Sequence, residues 1–264
     1  MLSPLTLLAL GALLMVLLMG GLWLVQRRTR DAGIVDVGWA AGLGLLALLY
    51  GVAAPGHPTR RYLVAILAAL WSFRLARHLL VDRVLGKPED GRYQTLRAGW
   101  GNQAQRNFFI FFQAQALLDV VFSLPFLAVA LSPLAAPRAL DGLAIAVWLI
   151  AVTGEFVADR QLARFRRDPA NRGRTCRTGL WRLSRHPNYF FEWLHWWTYV
   201  LLAAGSPWAP LTLLGPALML LFLFKLTGIP HTEAQALKSR GDDYRAYQRT
   251  TSVFIPWFPR KESA

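Results

Sequence analysis

Residues 179–199, GLWRLSRHPNYFFEWLHWWTY, join a basic, turn-rich segment to an apolar, aromatic helix without a break. Pro187 suits the first turn of that helix, because the N–H that it lacks would have no partner there. A helix that begins at Pro187 places four side chains on one face, at spacings of four, three and four. They are Asn188, Glu192, His195 and Tyr199. A charge at the bilayer centre costs about 2.5–3.5 kcal/mol on insertion scales, so we expect this face to line a cavity.

Apolar runs long enough to cross a hydrocarbon core of about 30 Å recur along the chain. They cover residues 3–25, 33–54, 62–80, 107–131, 139–161, 188–204 and 208–228. The first run has no cleavage site of small residues and is too long for a signal-peptide core, so we interpret it as a permanent span. The sequence therefore predicts an all-α integral membrane protein. We expect residues 1–264 to form a single seven-helix domain that ends in a tail over 229–264.

The basic residues are distributed unevenly between the two sides that these spans define. Of the 29 lysines and arginines, 26 fall on one side, and only Arg60, Arg61 and Arg138 fall on the other. The positive-inside rule then predicts that the N-terminus lies outside and that the tail is cytoplasmic. The 25 arginines against 4 lysines indicate a GC-rich genome, and hence a bacterial inner membrane as the expected location.

The net charge of +14 is thus concentrated on one face of the protein. Two interpretations stay open. The charge can serve topology and attraction to anionic lipid, or nine arginines within residues 160–187 can form a pocket for an anionic cofactor. For a surface held against a bilayer we expect no nucleic acid partner, and we expect no obligate protein partner. Cys176 alone predicts neither a disulfide nor a metal site.

Several carboxylates lie within or close to the apolar runs. Asp36 and Trp39 lie one turn inside the second span, where Asp36 either caps the helix or pairs with Arg30, or else lines a cavity as a proton donor. Asp119, in the fourth span, is interpreted as part of the hydrogen-bonding contacts between helices. Glu155, Asp159 and Arg166 share one helical stripe at the end of the fifth span, as an ion-pair network or as part of a pocket.

Two polar segments flank these spans. Residues 81–106 are rich in Gly, Pro and charge and predict a structured loop with a short interfacial helix near Tyr93, which acts either as a lid or as a membrane-surface anchor. In the tail, an amphipathic helix begins near His231 and Glu233 and ends at Gly241. No P-loop, GxGxxG turn, zinc ligand spacing or nucleophile elbow is present in the sequence.

The sequence resembles the membrane-embedded steroid 5-alpha-reductase family. The segments that carry the resemblance are DVGW (36–39), RLARHLL (74–80), GKPEDGRYQTLRAGWG (86–101), GEFVADRQLARFRRDPANRGR (154–174), TGLWRLSRHPNYFFEW (178–193) and DDYRAYQRTTSVFIPWFP (242–259). The most specific part is the pattern formed by Ser184, Asn188, Tyr189 and Glu192. The resemblance covers most of the chain from about residue 33 onward.

This resemblance implies a seven-span fold with an NADPH pocket open to the cytoplasm. It implies reduction of a carbon–carbon double bond conjugated to a carbonyl, in a steroid-like or other lipophilic substrate that enters from the bilayer. By position, Asn188 and Glu192 hold the nicotinamide end, and Asp159, Arg166 and Arg174 hold the ribose and phosphates, with Glu155 beside them. His231 helps to close the pocket. The remaining cofactor-binding residues that the resemblance implies are Arg185, His186, Tyr189 and Tyr244.

The chain departs from the eukaryotic members of that family in the groups that polarise the substrate carbonyl. Those members use a Glu in the second span and a Tyr in the third. Here Asp36 lies near the first position, and the second falls at about Trp71, whose indole is no proton donor at neutral pH. We therefore expect Asp36, with Trp39 or Tyr93, to serve instead.

A second enzyme class is similar through the same residues. Isoprenylcysteine carboxyl and phospholipid methyltransferases resemble this chain through RHPNY and through the tail that carries Glu233, Tyr244 and Tyr247. This similarity implies an alternative function as an S-adenosylmethionine-dependent methyltransferase of a lipid or prenylated substrate. The pairing of Asn188 with Glu192 favours the reductase.

Overall fold

The computed structural model describes residues 1–135, 137–226 and 228–260, and these ranges contain helices and no strand. The α-helices are α1 (Pro4–Thr29), α2 (Ile34–Ala53), α3 (Pro58–Leu79), α4 (Gly91–Trp100), α5 (Ala104–Ala130), α6 (Ala139–Arg167), α7 (Pro187–Ala203), α8 (Ala209–Thr212), α9 (Leu214–Leu221) and α10 (Ile229–Thr250). Five-residue π-helical segments follow α3 (Leu80–Val84) and α9 (Phe222–Leu226). The predicted all-helical class is confirmed.

Within the described residues, six helical stretches have the length and apolar composition to cross a membrane. Five of them contain α1, α2, α3, α5 and α6. The bounds of these helices lie within a few residues of the predicted spans, except that α6 continues to Arg167. The helix α7 has 17 residues, the lower end of what a span needs. The last apolar run is divided among α8, α9 and the π-helical segment. The structure thus supports an integral membrane protein with six or seven apolar helices.

The chain divides into two compact units, of which the first comprises Met1–Arg138 and Leu202–Leu214. In this unit α2 packs closely against α3 and α5. A Cβ atom added at Gly51 of α2 would lie 2.4 Å from the Cβ of Ala65 in α3. Such close approach at small residues is how membrane helices gain packing contacts. The bulky core of the unit includes Trp71, Phe108, Phe112 and Phe126, all fully buried.

Arginine side chains bind backbone carbonyl groups at one end of the first unit. Arg60 is fully buried and donates to the carbonyl oxygens of Leu134, Ala135 and Leu202. Arg138 donates to the carbonyl oxygen of Ala204 at 2.7 Å. Leu202 and Ala204 lie at the C-terminal end of α7, where carbonyl groups lack intrahelical partners, and the guanidinium groups satisfy them. Arg60 and Arg138 therefore have structural roles.

The second unit comprises Ala139–Leu201 and Gly215–Ala264, and it contains α6, most of α7, α9 and α10. The helix α7 begins at Pro187, as predicted. A Cβ atom at Gly154 of α6 would lie 2.4 Å from the ring of Phe191 in α7, so this glycine allows the two helices to meet. In α10, Gly241 has a φ of 51° and interrupts the helix at the predicted position.

The residues after α10 are bound to the segment that precedes α7. Arg185 N–H donates to the carbonyl oxygen of Ser252 at 2.8 Å, and Trp257 N–H donates to that of Leu183 at 2.9 Å. The Ser184 hydroxyl donates to the carbonyl oxygen of Phe254 at 2.8 Å. These bonds join two chain segments about 70 residues apart and fix the residues immediately before α7.

Candidate active site

In the first unit, three polar side chains meet at the start of α2. The Tyr93 hydroxyl donates to Asp36 Oδ1 at 2.6 Å, and Arg92 Nη2 donates to Asp36 Oδ2 at 3.0 Å. Tyr93 is only 3% exposed, in the helix predicted near this position. The predicted association of Asp36 with Tyr93 is thus present, and the carboxylate pairs with Arg92 instead of Arg30. The sequence analysis missed Arg92, although it immediately precedes Tyr93.

The loop before α4 fixes this polar group in place. Asp90 Oδ1 accepts the N–H of Arg92 at 2.9 Å and so caps α4, and it also accepts Arg92 Nε at 3.1 Å. Glu89 Oε1 accepts Arg97 Nη2 at 2.7 Å and the N–H of Ala32 at 2.8 Å. Since Ala32 lies just before α2, these bonds hold the loop against the helix that carries Asp36.

Two other predicted residues of the first unit have different surroundings. Trp39 packs edge-to-face on Phe122 with ring centroids 5.7 Å apart, and it does not join the hydrogen bonds of Asp36. Asp119 is fully buried, and within the described residues neither of its carboxyl oxygens has a hydrogen-bond partner. It packs on Gly42, where a Cβ atom would lie 2.7 Å from Oδ2. The interpretation of Asp119 as a hydrogen-bonding contact between helices is therefore wrong.

In the second unit, arginine side chains surround an open cavity of about 570 Å³ at the end of α6. The lining comes from the last turns of α6, the following turn and α10. The charged residues of the lining are Arg166, Arg167, Asp168, Arg172, Arg174 and Arg240. The structure thus brings together the predicted phosphate ligands Arg166 and Arg174. The other three arginines were missed, although two of them lie in the run that the sequence analysis had noted for its charge.

Most of these guanidinium groups have no acidic partner. Arg167, Arg172 and Arg174 form no ion pair with the residues that the structure describes. Asp168 is the only acidic residue of the lining, and its Oδ1 accepts the N–H of Ala170 at 2.9 Å. A cavity with five arginines and one carboxylate has a positive potential. Planar guanidinium groups bind phosphate and carboxylate well, so the cavity is suited to an anion.

The facing surfaces of α6 and α7 bring Asn188, predicted to hold the nicotinamide end, against Asp159, predicted to hold the ribose and phosphates. Asn188 Nδ2 donates to Asp159 Oδ1 at 3.2 Å. Glu155 lies one turn before Asp159 and is 3% exposed, and Glu192 lies one turn after Asn188 and is partly buried. The structure therefore places an amide and a carboxylate in direct contact, with a further carboxylate one helical turn along on each helix.

Another group of predicted residues surrounds Glu233 in α10. Arg185 Nε donates to Glu233 Oε1 at 2.7 Å, and His186 Nε2 lies 3.2 Å from the same oxygen. The Tyr244 hydroxyl donates to it at 3.3 Å, and Gln248 Nε2 donates to Oε2 at 2.8 Å. None of Arg185, His186 and Tyr244 lines the arginine cavity. Their polar atoms bind Glu233, which the sequence analysis did not include among the site residues.

Two further predicted residues lie close to this Glu233 cluster. Tyr189 stacks on His186 with ring centroids 5.3 Å apart, and its hydroxyl lies 3.2 Å from the Thr232 hydroxyl. His231, in the first turn of α10, is exposed. Cofactor binding by these two residues, and by Arg185, His186 and Tyr244, stays a prediction.

The Glu233 cluster changes the pKa of two of its members. Burial alone would raise the pKa of the Glu233 carboxyl, but hydrogen bonds from His186 and Arg185 outweigh it and lower this pKa to about 2. Burial lowers the pKa of the His186 imidazole from its ordinary value, although Glu233 opposes that shift. Glu233 is therefore ionised at neutral pH, and Arg185 supplies the compensating charge.

No group of three or more His, Cys, Asp or Glu side chains arranged to hold a metal ion occurs in residues 1–135, 137–226 and 228–260. Cys176 is buried at the edge of the arginine cavity and forms no disulfide.

Comparison with known proteins gives one family and one relative. The family described as "Protein of unknown function (DUF1295)", which is associated with steroid 5-alpha-reductase-like membrane proteins, matches residues 22–251. An uncharacterized protein of Schizosaccharomyces pombe is 27% identical over 219 residues, which cover 74% of this chain and 64% of the yeast protein. The match thus spans less than two thirds of the length of that relative. No solved structure matches the chain.

Proposed function

We propose that this chain, which belongs to the family described as "Protein of unknown function (DUF1295)", is an NADPH-dependent oxidoreductase. Its reaction is the reduction of a carbon–carbon double bond conjugated to a carbonyl in a steroid-like or other lipophilic substrate. In this reaction a hydride adds to the β-carbon and a proton adds to the α-carbon. NADPH supplies the hydride and leaves as NADP⁺.

The observation that carries the proposal is the arginine cavity. A dinucleotide phosphate presents several anionic groups, and the cavity offers five guanidinium groups, three of which have no acidic partner among the described residues. Charge-assisted bidentate hydrogen bonds of this kind are among the stronger polar contacts in proteins. In the proposal Arg166 and Arg174 bind the phosphates, and Arg172 and Arg240 add to the same site.

The nicotinamide end is assigned to the polar group shared by α6 and α7. The hydrogen bond from Asn188 to Asp159 fixes the orientation of the Asn188 side-chain amide. Glu192 lies one turn further along α7. Amide and carboxylate groups held by packed helices are rigid ligands for a carboxamide, because little conformational entropy remains to be lost when it binds.

The proton is assigned to the Tyr93 group of the first unit. The Tyr93 hydroxyl donates to Asp36 Oδ1, and Arg92 Nη2 donates to the other oxygen of the same carboxyl group. In the proposal Tyr93 donates the proton to the substrate, and Asp36 and Arg92 orient the hydroxyl. General acid catalysis of this type contributes roughly 10²–10⁴ to a rate.

The proposal includes the topology that the sequence predicts. Seven spans, an outside N-terminus and a cytoplasmic tail place the arginine-rich surface on the side where NADPH is available. The substrate enters from the bilayer, and the expected location is a bacterial inner membrane. Membrane lipids are the remaining partners in this proposal.

The test is turnover with a defined enone. Detergent-purified protein is incubated with androst-4-en-3-one and NADPH that carries deuterium at the transferable position. We expect a product two mass units heavier than the substrate from hydrogen addition and one further unit from the deuterium. A methyl group transferred from S-adenosylmethionine to a lipid acceptor, without reduction, would instead support the methyltransferase alternative.

A matched pair of tyrosine variants tests the proton donor. Tyr93→Phe removes the hydroxyl and should lower kcat by about 10²-fold or more, with the Kd of NADPH unchanged. Tyr62→Phe is the control, because Tyr62 is 55% exposed on α3 and far along the chain from Asp36. Equal activity of the Tyr93→Phe variant and the unaltered protein would remove Tyr93 from the reaction.

A further inference from the structure

Two indole N–H groups on α7 lack hydrogen-bond acceptors among the described residues. Within the described residues, neither Trp193 Nε1 nor Trp197 Nε1 has a hydrogen-bond partner, and both nitrogen atoms are shielded from solvent. The two residues are four apart and therefore lie on one face of the helix. Their ring centroids are 5.7 Å apart, with the planes at 79°. The face thus carries two indole rings in contact, each with an N–H donor.

The surroundings of this pair are apolar and aromatic. Phe254 packs edge-to-face on Trp193 at 5.7 Å between centroids, and Phe190 lies 6.0 Å from Trp193. Phe254 also contacts Phe190 at 5.7 Å and Phe224 at 5.2 Å. Edge-to-face contacts stabilise the rings, but an N–H directed at a ring is only a weak hydrogen bond. The aromatic neighbours therefore do not replace an oxygen acceptor.

Two other tryptophans of the chain show the usual arrangement. Trp181 Nε1 donates to the carbonyl oxygen of Ala158 at 2.9 Å, and Trp23 Nε1 donates to that of Gln105 at 3.0 Å. A buried indole N–H normally has such a partner, because leaving it unsatisfied costs about 1–3 kcal/mol. Because Trp193 and Trp197 have no such partner among the described residues, an acceptor from outside the chain would satisfy both N–H groups.

We propose that Trp193 and Trp197 form a subsite for the neutral oxygen acceptor, carbonyl or hydroxyl, of a lipophilic ligand. The ligand has an apolar skeleton because the walls around the pair are phenylalanine and tryptophan rings. It carries an acceptor because both polar groups are donors. This inference rests on the proposed function in one respect, namely that the ligand is the enone substrate of the reduction.

The test compares two probes that differ only in the acceptor. Androst-4-en-3-one has an oxygen at carbon 3, and androst-4-ene lacks it. Their Kd values are measured by equilibrium binding to the detergent-purified full chain, without cofactor. We expect the unaltered protein to bind the ketone at least tenfold more tightly than the hydrocarbon.

Trp193→Phe and Trp197→Phe keep an aromatic ring but remove the N–H. Each should weaken ketone binding about five- to tenfold, as expected for one hydrogen bond, and hydrocarbon binding by less than twofold.

Trp208→Phe is the control, because Trp208 is 38% exposed and belongs to the other unit, and it should change neither affinity. Equal losses for both probes would assign the two indoles to packing and overturn the subsite. Equal affinity of the unaltered protein for both probes, or binding of neither, would also overturn it, and that result needs no variant. Because binding is measured without NADPH, a ketone-selective loss in a protein that reduces no enone would contradict only the proposed function.

Discussion

The second unit contains arginines in two different states, although the sequence presents them as one basic run. Arg185 is 12% exposed and donates to Glu233 and to two backbone carbonyl groups of the tail, and Arg177 pairs with Asp243 at 2.9 Å. Arg172 and Arg174 line the cavity and form no ion pair within the described residues. Arginines of the first kind hold the tail in place, and those of the second kind leave positive charge for a ligand.

The largest effect is expected where a paired arginine is removed. Arg185→Met leaves the ionised, partly buried Glu233 without its main compensating charge, and breaking such a pair costs about 3 kcal/mol. The melting temperature in detergent should fall by several degrees. Arg182→Met is the control, because Arg182 is exposed near the same segment and should have little effect. An unchanged melting temperature for Arg185→Met would show that the Glu233 cluster does not hold the tail.

An intermediate effect is expected in the cavity, on ligand binding and not on folding. Arg172→Gln and Arg174→Gln should each weaken NADPH binding about tenfold, the value of one charge-assisted contact, and should change unfolding by less than about 0.5 kcal/mol. Isothermal titration of the purified variants gives the Kd values. If either arginine meets the 2′-phosphate, its loss should weaken NADPH more than NADH. Loss of stability with an unchanged Kd would show that Arg172 and Arg174 support the fold and do not bind NADPH.

The smallest effect is expected on how the melting temperature falls as the pH is lowered. The pKa of Glu233 is lowered from 4.5 to about 2 in the folded protein, so its contribution is fully present above pH 4.5 and is lost as the pH falls from 4.5 to about 2. Because the pKa of His186 is also lowered, its contribution to stability is likewise lost as the pH falls below the ordinary value of 6.5. Glu233→Gln should flatten the fall in melting temperature between about pH 5 and 3. A slope equal to that of the unaltered protein would exclude Glu233 as its origin.

The sequence predicts those features that depend on neighbouring residues. Apolar runs gave the helices within a few residues for most spans, Pro187 marked the start of α7, and Gly241 marked the break in α10. Residues four apart were placed on one helix face, and α4 was placed near Tyr93. Each of these predictions rests on hydrophobic length, helical period or the conformational limits of one residue.

The features that the sequence analysis missed depend on contacts between distant segments. Glu233 binds Arg185, which lies 48 residues away, and Asp36 binds Arg92, which lies 56 residues away. No local pattern separates an arginine that will meet a carboxylate from one that will line a cavity. Asp119 shows the same limit, because its position on α5 suggested a hydrogen bond that the packing against Gly42 does not provide.

The central claim is that the arginine cavity binds NADPH, and thermal stabilisation by ligands tests it most directly. The purified protein is melted with NADPH, NADH or S-adenosylmethionine, each at a hundredfold excess over its Kd where binding occurs. A ligand that binds only the folded state adds about 2.7 kcal/mol at that excess. The account predicts that NADPH raises the melting temperature by several degrees, and that the rise shrinks when Arg172 and Arg174 are both replaced by Gln. A rise with S-adenosylmethionine and none with NADPH would contradict it.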